Sequence, residues 1–234
     1  MAAHPSPDAC LYLVATPIGN LEDISQRAIS ILKSCDQIAC EDTRKTGRLL
    51  EAIQVTSRLC AYHEHNEKEC AIYLANCLAA GETIALVVDA GTPGMSDPGF
   101  RLVRECRRRG LTVVPIPGPT AMATALCASG LPSDGFLFLG FLPPKGGAHQ
   151  TFFERYRDFP YTLIFYESCH RIERCLNRLV DTLGTERTIC VAREMTKRYE
   201  TFHTGPALQV KERVLQGSLK GEFVVLIAKK GYEL

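Results

Sequence analysis

The chain has 234 residues and a formal net charge of +1, and it is 46% hydrophobic and 23% charged. This length is enough for one large α/β domain or two small ones, each with a buried core. A charge so close to zero excludes a protein-wide attraction to nucleic acid or to a membrane surface. Any polyanion must therefore be bound by a local basic patch.

Short apolar runs alternate with segments of helical periodicity in the first half of the chain. The predicted strands there are residues 10–15, 37–40, 83–88 and 112–116, and the predicted helices are residues 25–34, 43–52, 66–80 and 100–109. Strand–helix alternation is typical of a parallel sheet with helices on its faces. We predict an N-terminal α/β domain over residues 1–117.

The second half has a different spacing. Its predicted strands, residues 136–140, 162–166, 188–192 and 223–228, are separated by unequal segments. The Pro-Gly-Pro turn at residues 117–119 breaks helical structure, so we place the domain boundary there. A second α/β domain is predicted over residues 118–234.

The cysteines and the N-terminus bear on the compartment. The chain has 11 cysteines, an odd number without a Cys-x-x-Cys pair, and we expect reduced, buried thiols such as Cys40, Cys127 and Cys190. No basic segment followed by an apolar one opens the chain, which disfavours a signal peptide. No apolar run approaches the ~18 residues of a membrane span. We expect a cytoplasmic protein.

Three loops rich in glycine and proline each follow a predicted strand: residues 16–20, 89–94 and 117–120. Ligands of open α/β sheets bind at the carboxyl ends of the strands, although each loop alone could be an ordinary turn. None of the loops matches G-x-G-x-x-G or G-x-x-x-x-G-K-[ST]. The pattern therefore favours an adenosine-containing ligand without a phosphate.

Charged residues follow the predicted strand 37–40 directly. Glu41 and Asp42 are candidate catalytic carboxylates, and Arg44 has the planar guanidinium that suits a phosphate. Asp42 or Thr43 could instead be the N-cap of the next helix. The sequence leaves both alternatives open.

Two further clusters suggest other chemistry less strongly. His63 and His65 would share a face of a strand, but no further metal ligands are evident nearby, so we expect no metal. We expect instead a loop in which Asn66 caps the next helix. Ser168 and His170 follow a predicted strand and precede a helix, yet no G-x-S-x-G elbow surrounds the serine. A serine hydrolase is therefore disfavoured.

Basic residues that could contact RNA lie in two places. The arginines at 104 and 107–109 close a predicted helix, where a solvated face is the ordinary interpretation. Lys145, in a Pro/Gly-rich loop, is the better candidate because mobile loops often contact large substrates.

Several motifs in chain order resemble one known family. They are residues 16–21, 41–44, 89–93, 96–99, 117–119, 140–143, 165–168, 170–171 and 192–197. Together they are similar to the bacterial 16S rRNA (cytidine 2′-O-ribose) methyltransferases (RsmI), S-adenosylmethionine-dependent enzymes of the tetrapyrrole-methylase-like superfamily. The resemblance covers residues 11–229. Each motif alone is weak, but seven in order are highly specific, with 89–93 and 96–99 counted as one motif and 165–168 and 170–171 as another.

The resemblance implies two α/β domains, the second with a mixed sheet, a homodimer, and S-adenosylmethionine in the cleft between the domains. The implied substrate is a cytidine ribose in the decoding centre of the small ribosomal subunit. The cofactor contacts that it implies are Pro17, Asp89, Ala90, Gly91, Thr92, Pro93, Ser96, Thr120, Ala121, Tyr166, Glu167 and Ala192. Many relatives continue with a helical tail, whereas this chain ends at Leu234, so we expect it to hold RNA without that tail.

Methyl transfer from a sulfonium is an in-line displacement, so positioning should dominate and a base should remove the proton of the ribose hydroxyl. We favour Glu41 and Asp42 over His63, His65 and Glu167 as that base. Arg44, Lys145 and Arg171 are predicted to contact RNA, and the ring of Phe165 or Tyr166 to stabilise the sulfonium.

Two other functions remain open. A methyltransferase of a tetrapyrrole or other small molecule would share the cofactor loops, and a non-catalytic ribosome-assembly factor would retain only the fold. A nearly neutral protein lacks the basic surface for shape-blind RNA binding, so we expect the assembled subunit as substrate.

Overall fold

The structure is a computed structural model that describes residues 9–143 and 147–234. The chain divides after Thr120 into two compact units, and unit 2 begins at Ala121. The predicted boundary between residues 117 and 118 falls slightly earlier in the same loop. Lys145 lies outside the described residues.

The described part of unit 1 contains a parallel sheet. Its strands are β1 (Leu11–Val14), β2 (Gln37–Cys40), β3 (Arg58–Ala61), β4 (Ile84–Val87) and β5 (Val113–Ile116). They lie in the order β3-β2-β4-β1-β5, and every neighbouring pair is parallel. β2 and β4 are buried along their whole length, as a sheet covered on both faces requires. The four predicted strands are confirmed.

Four helices are described in unit 1, as predicted. They are α1 (Gln26–Ser34), α2 (Thr43–Ala52), α3 (Glu67–Ala79) and α4 (Phe100–Arg108). Asp42 caps α2 by accepting a hydrogen bond from the Arg44 backbone N–H at 2.8 Å. Asn66 is the N-cap residue of α3, as predicted, but its side chain makes no capping hydrogen bond and instead accepts from His63 N and donates to Ala61 O.

Alternate side chains of each strand enter two different cores of unit 1. Tyr12 and Val14 belong to the core that α1 and α2 cover, whereas Leu11 belongs to the core that α3 and α4 cover. Because successive side chains of a strand point to opposite faces, these cores lie on the two sides of the sheet. Unit 1 is therefore a three-layer α/β/α structure.

The described part of unit 2 contains a mixed sheet. Its strands are β6 (Phe136–Phe141), β7 (Thr162–Ser168), β8 (Thr188–Arg193), β9 (Thr201–Pro206) and β10 (Glu222–Ile227), in the order β6-β7-β10-β8-β9. β6 and β7 are parallel, and the other pairs are antiparallel. The mixed second sheet that the resemblance implied is therefore confirmed.

Helices cover the sheet of unit 2. They are α5 (Ala121–Ala128), α6 (Ala148–Arg155), α7 (Ile172–Leu183) and α8 (Ala207–Gln216). α6, α7 and α8 share one core with the sheet, and α5 packs against β7 and β10. None of the described helices is long and apolar enough to cross a membrane.

The elements missed in the sequence have weak local signals. β3 and β9 are edge strands of their sheets, and β9 ends in Gly205 and Pro206, residue types that are typical of a turn. α5 is apolar around most of its circumference, so it has no 3.6-residue pattern. α6 and α8 were not predicted either, whereas the helix expected after residue 171 is α7.

All 11 cysteines are described, and each is free. Cys40 and Cys190 are buried as predicted. The prediction for Cys127 is wrong: it is exposed, because the buried side chains of α5 are Met122, Ala125 and Leu126 and Cys127 lies outside that face.

Phe165 lies in the core of unit 2 and not beside a loop. Its exposed fraction is 0%, and its ring contacts the rings of Phe152 and Phe153. The strand predicted at residues 162–166 continues to Ser168 in β7. The predicted contact of the Phe165 ring with a sulfonium is therefore wrong.

Phe165→Ala should lower the free energy of unfolding by about 3–5 kcal/mol, because it removes a buried ring and leaves a cavity. Chemical denaturation measures the change. Phe136→Ala is the matched control, since the Phe136 side chain is 45% exposed and should cost much less. Equal losses for the two variants would contradict the placement of Phe165 in the core.

Candidate active site

Four polar or glycine-rich loops of unit 1 follow four neighbouring strands. β2, β4, β1 and β5 are adjacent and parallel, so their carboxyl ends lie at the same edge of the sheet. The loops are residues 16–20, 41–44, 89–94 and 117–120. The structure thus brings together the loops that the sequence singled out.

The loops after β1 and β4 are joined through Thr16 and Gly91. Thr16 N donates to Gly91 O at 2.9 Å, and Gly91 N donates to Thr16 O at 3.0 Å. The buried Thr16 hydroxyl donates to Val88 O at 3.0 Å. These bonds hold the first two loops in one arrangement.

The third loop is fixed against the other two. Thr92 Oγ1 donates to Pro119 O at 3.0 Å. A Cβ added at Gly118 would lie 2.8 Å from Ala15 Cβ, and Gly91 has a φ of +88°. Both positions therefore favour glycine, which lets the loops after β1, β4 and β5 pack closely against one another.

Asp89 connects the loop after β4 to the start of α2. Its Oδ1 accepts from Asp42 N at 3.2 Å, and its Oδ2 accepts from Lys45 Nζ at 2.6 Å. Lys45 was missed in the sequence. A lysine in the first turn of a helix is unfavourable for the helix dipole, and that signal could have indicated a nearby carboxylate.

Three carboxylates of this edge influence one another. Burial, and then the charges of Glu41 and Asp89, raise the pKa of Asp97 to about 6. Burial followed by the charge of Asp89 also raises the pKa of Glu41. Asp97 was not predicted to be a site residue. In the structure it follows Ser96, whose φ of +78° is a strained conformation typical of functional sites.

Asp42 and Arg44 form a pair with each other. Arg44 Nη2 lies 3.1 Å from Asp42 Oδ2, and hydrogen bonds from Arg44 lower the pKa of Asp42 to about 2. A carboxylate with so low a pKa is a weak base at neutral pH. Asp42 therefore acts as helix cap and arginine partner, and Arg44 keeps a side chain that is 86% exposed.

The two histidines of residues 63–65 lie in a turn after β3 and not in a strand. Their rings meet edge to face with centroids 5.9 Å apart. Neither belongs to a group of three potential metal ligands in the described part of the chain. The structure offers no support for a metal at this turn.

Glu167 and Arg171 have an internal role that was not predicted. Both side chains are largely buried, with Arg171 Nε 2.7 Å from Glu167 Oε1. His149 Nε2 lies 3.1 Å from Glu167 Oε2, and Arg171 Nη1 donates to Leu142 O at 2.9 Å. These contacts hold Leu142 and His149 to the end of β7 and the start of α7. Glu167 and Arg171 thus serve the interior of unit 2, whereas their predicted cofactor and RNA contacts stay predictions.

Three other predicted contacts of unit 2 lie on one face of its sheet. Val224 of β10 pairs in register with Tyr166 of β7 on one side and with Ala192 of β8 on the other. The Tyr166 hydroxyl accepts a hydrogen bond from Met122 N at 3.2 Å, next to Ala121 at the start of α5. The structure therefore brings Tyr166, Ala192 and Ala121 to the α5 side of the sheet.

Glu167→Gln should lower the free energy of unfolding by about 3–5 kcal/mol, because it leaves the Arg171 charge buried without a carboxylate. Thermal or chemical denaturation checks this. Glu173→Gln removes the same charge from an exposed position of α7 and serves as control. Losses below 1 kcal/mol for Glu167→Gln would contradict the internal role.

Comparisons with known proteins agree with this architecture. The family described as Tetrapyrrole (Corrin/Porphyrin) Methylases matches residues 10–211. The structure of uroporphyrin-III-C-methyltransferase from Thermus thermophilus superposes with a TM-score of 0.64 at 19% identity, covering 94% of each chain. A structure described as the same enzyme complexed with S-adenyl homocysteine has a TM-score of 0.62 at 20% identity, covering 94% of this chain and 97% of the other. At these identities the likeness shows the fold.

Curated relatives are much closer in sequence. Ribosomal RNA small subunit methyltransferase I of Vibrio cholerae is 48% identical over 225 residues, which are 95% of this chain and 78% of the relative. The protein of the same name from Haemophilus influenzae is 49% identical, over 94% of this chain and 78% of the relative. The chain therefore belongs to the tetrapyrrole methylase family and, within it, to the ribosomal RNA small subunit methyltransferase I family.

Proposed function

We propose that the protein transfers a methyl group from S-adenosylmethionine to the 2′-oxygen of a cytidine ribose in 16S rRNA, in the decoding centre of the small subunit. The observation that carries this proposal is the identity of 48–49% to relatives named as small subunit rRNA methyltransferases, over nearly the whole chain. The loops at the edge of the unit 1 sheet supply the carboxylates and the close loop packing from which we argue the methyl transfer.

The loop edge of unit 1 fits the proposed cofactor. Bound S-adenosylmethionine would supply a methyl group already activated on a sulfonium. Gly91 and Gly118 let the loops after β1, β4 and β5 pack closely into one edge, and the negative charges of Glu41, Asp89 and Asp97 favour a nearby cation. The proposed contacts are Pro17, Asp89, Ala90, Gly91, Thr92, Pro93, Ser96 and Thr120 in unit 1, and Ala121, Tyr166 and Ala192 in unit 2.

Asp97 is the residue that we assign as general base. A base is most effective when its pKa lies near the working pH, and the pKa of Asp97 is raised to about 6. Glu41 keeps a catalytic role in this proposal because its charge helps to raise that pKa. Asp42 is too weak a base, as shown by its pKa of about 2.

The proposal also covers the residues that contact RNA, the oligomeric state and the compartment of the protein. Arg44 is exposed and presents a guanidinium for a phosphate, and Lys145 is the second proposed contact. We propose a cytoplasmic homodimer that acts on the assembled small subunit, since a formal charge of +1 gives little general attraction to free RNA.

The direct test measures methyl transfer from labelled S-adenosylmethionine to intact small subunits, naked 16S rRNA and a porphyrin precursor. We expect label at the 2′-oxygen of one cytidine, with intact subunits as the best substrate. Label in the porphyrin precursor alone would replace the proposal by small-molecule methylation. No transfer to any of the three, with the cofactor bound, would indicate an assembly factor.

The turnover of the wild type should rise with pH through about 6 and level off above it, because a base works only when deprotonated and the pKa of Asp97 is about 6. Asp97→Asn should lower kcat by about 10²-fold or more and abolish this step. Glu41→Gln should move the midpoint to lower pH, because a neighbouring negative charge is removed.

The pH profile of kcat on small subunits measures all three effects. Asp181→Asn removes a carboxylate from an exposed position of α7 and should leave the profile as in the wild type. An unchanged kcat in Asp97→Asn would reject Asp97 as the base.

A further inference from the structure

Unit 2 contains a small cavity that residues of unit 2 alone line. Its volume is about 110 Å³, below the roughly 300–1,000 Å³ of pockets that hold whole small molecules. It lies between β8, β9, the end of α8 and the turn that follows α8. A site of this size takes a single chemical group.

The strand register places the polar side chains of this cavity on one face of the sheet. Val191 pairs with His203, and Arg193 pairs with Thr201 on one side and with Phe223 on the other. Residues in register across strands share a face, as do residues two apart along one strand. Val191 and Phe223 belong to the core that α8 covers, so Arg193, Thr201 and His203 face α8 as well.

The charged side chains that line the cavity are basic, and Glu194, whose carboxylate interacts with Arg193, pairs with Lys197 and does not line the cavity. Arg193 and Arg213 line it together with His203, and no acidic side chain does so among the described residues. Burial, followed by the charge of Arg213, lowers the pKa of His203. The cations therefore repel a further positive charge at this point, and an anion would relieve that repulsion.

Arg193 is held in position by the backbone. Its Nε donates to Lys220 O at 2.7 Å and its Nη1 to Tyr199 O at 3.3 Å. No hydrogen bond or ion pair within the described ranges uses the side chain of Arg213 or His203. The helix dipole accounts for a cation such as Arg213 in the last turn of α8, but not for Arg193 and His203 on two strands.

The remaining lining suits an oxyanion. Thr201 and Ser218 bring hydroxyl groups, and the apolar side chains of Val191, Val214 and Phe223 also line the cavity. Arginine is the side chain that best matches the geometry of a phosphate.

We propose that the cavity of Arg193, His203 and Arg213 binds one backbone phosphate of the RNA substrate. This inference rests on the proposed function for the identity of the ligand, whereas the affinity for a phosphate group rests on the cavity alone. The site anchors RNA through unit 2 and supplies a local positive patch on a nearly neutral protein.

The first experiment titrates inorganic phosphate into the wild type and follows the imidazole resonances of His203 by NMR, at ionic strength held constant with chloride. Bound phosphate should raise the pKa of His203, and Arg213→Gln should abolish that rise. Arg178→Gln, which removes an exposed arginine of α7, should leave it intact. A His203 pKa that does not respond to phosphate in the wild type would overturn the site, whether or not the protein methylates RNA.

The second experiment measures methylation of small subunits by the same variants. Arg213→Gln should raise KM about 3- to 10-fold with kcat preserved, and it should reduce the slope of log(kcat/KM) against log salt by about one. Arg213→Lys should recover part of the loss, and Arg178→Gln should match the wild type. Phosphate binding with unchanged KM and salt slope would overturn the assignment to RNA and leave a site for a free anion.

If neither the wild type nor any variant methylates RNA, the proposed function is wrong. The phosphate titration tests the cavity independently of that outcome. Circular dichroism melting of Arg213→Gln verifies that the variant is folded, so a lost response cannot be attributed to unfolding.

Discussion

Two hydrogen bonds between Thr16 and Gly91 join the loops that follow β1 and β4, beyond the point where the strands end. With this pair fixed, Asp89 reaches the start of α2, and Thr92 reaches the loop after β5. The carboxylates of the edge are thereby held near one another, and burial, together with the charges of Glu41 and Asp89, raises the pKa of Asp97.

Unit 2 uses the two faces of its sheet for different purposes. Phe165 enters the core under α6, α7 and α8, and its neighbour Tyr166 lies on the α5 side in one row with Ala192. Glu167 returns to the first face, where it pairs with Arg171. Three consecutive residues of one motif thus have three roles, because side chains of a strand alternate between faces.

Local patterns predicted most strands and the helices of unit 1 because those signals are contained in the residues themselves. α2 begins and ends where its periodicity indicates, and its cap is Asp42. The edge strands β3 and β9 lack such a signal, since their pairing depends on a partner distant in sequence. The side chain of Asn66 shows the same limit: the turn before α3, and not the helix, determines its partners.

The sequence by itself determined the two-domain α/β class, the three loops rich in glycine and proline, and the family. These properties depend on periodicity, on residues with unusual backbone freedom, and on ordered motifs. Only the tertiary structure decided that β4 lies between β2 and β1, which brings Glu41, Asp89 and Asp97 near one another. It also decided that Glu167 is buried with Arg171. Strand order and burial arise from contacts between distant segments, and no local pattern encodes them.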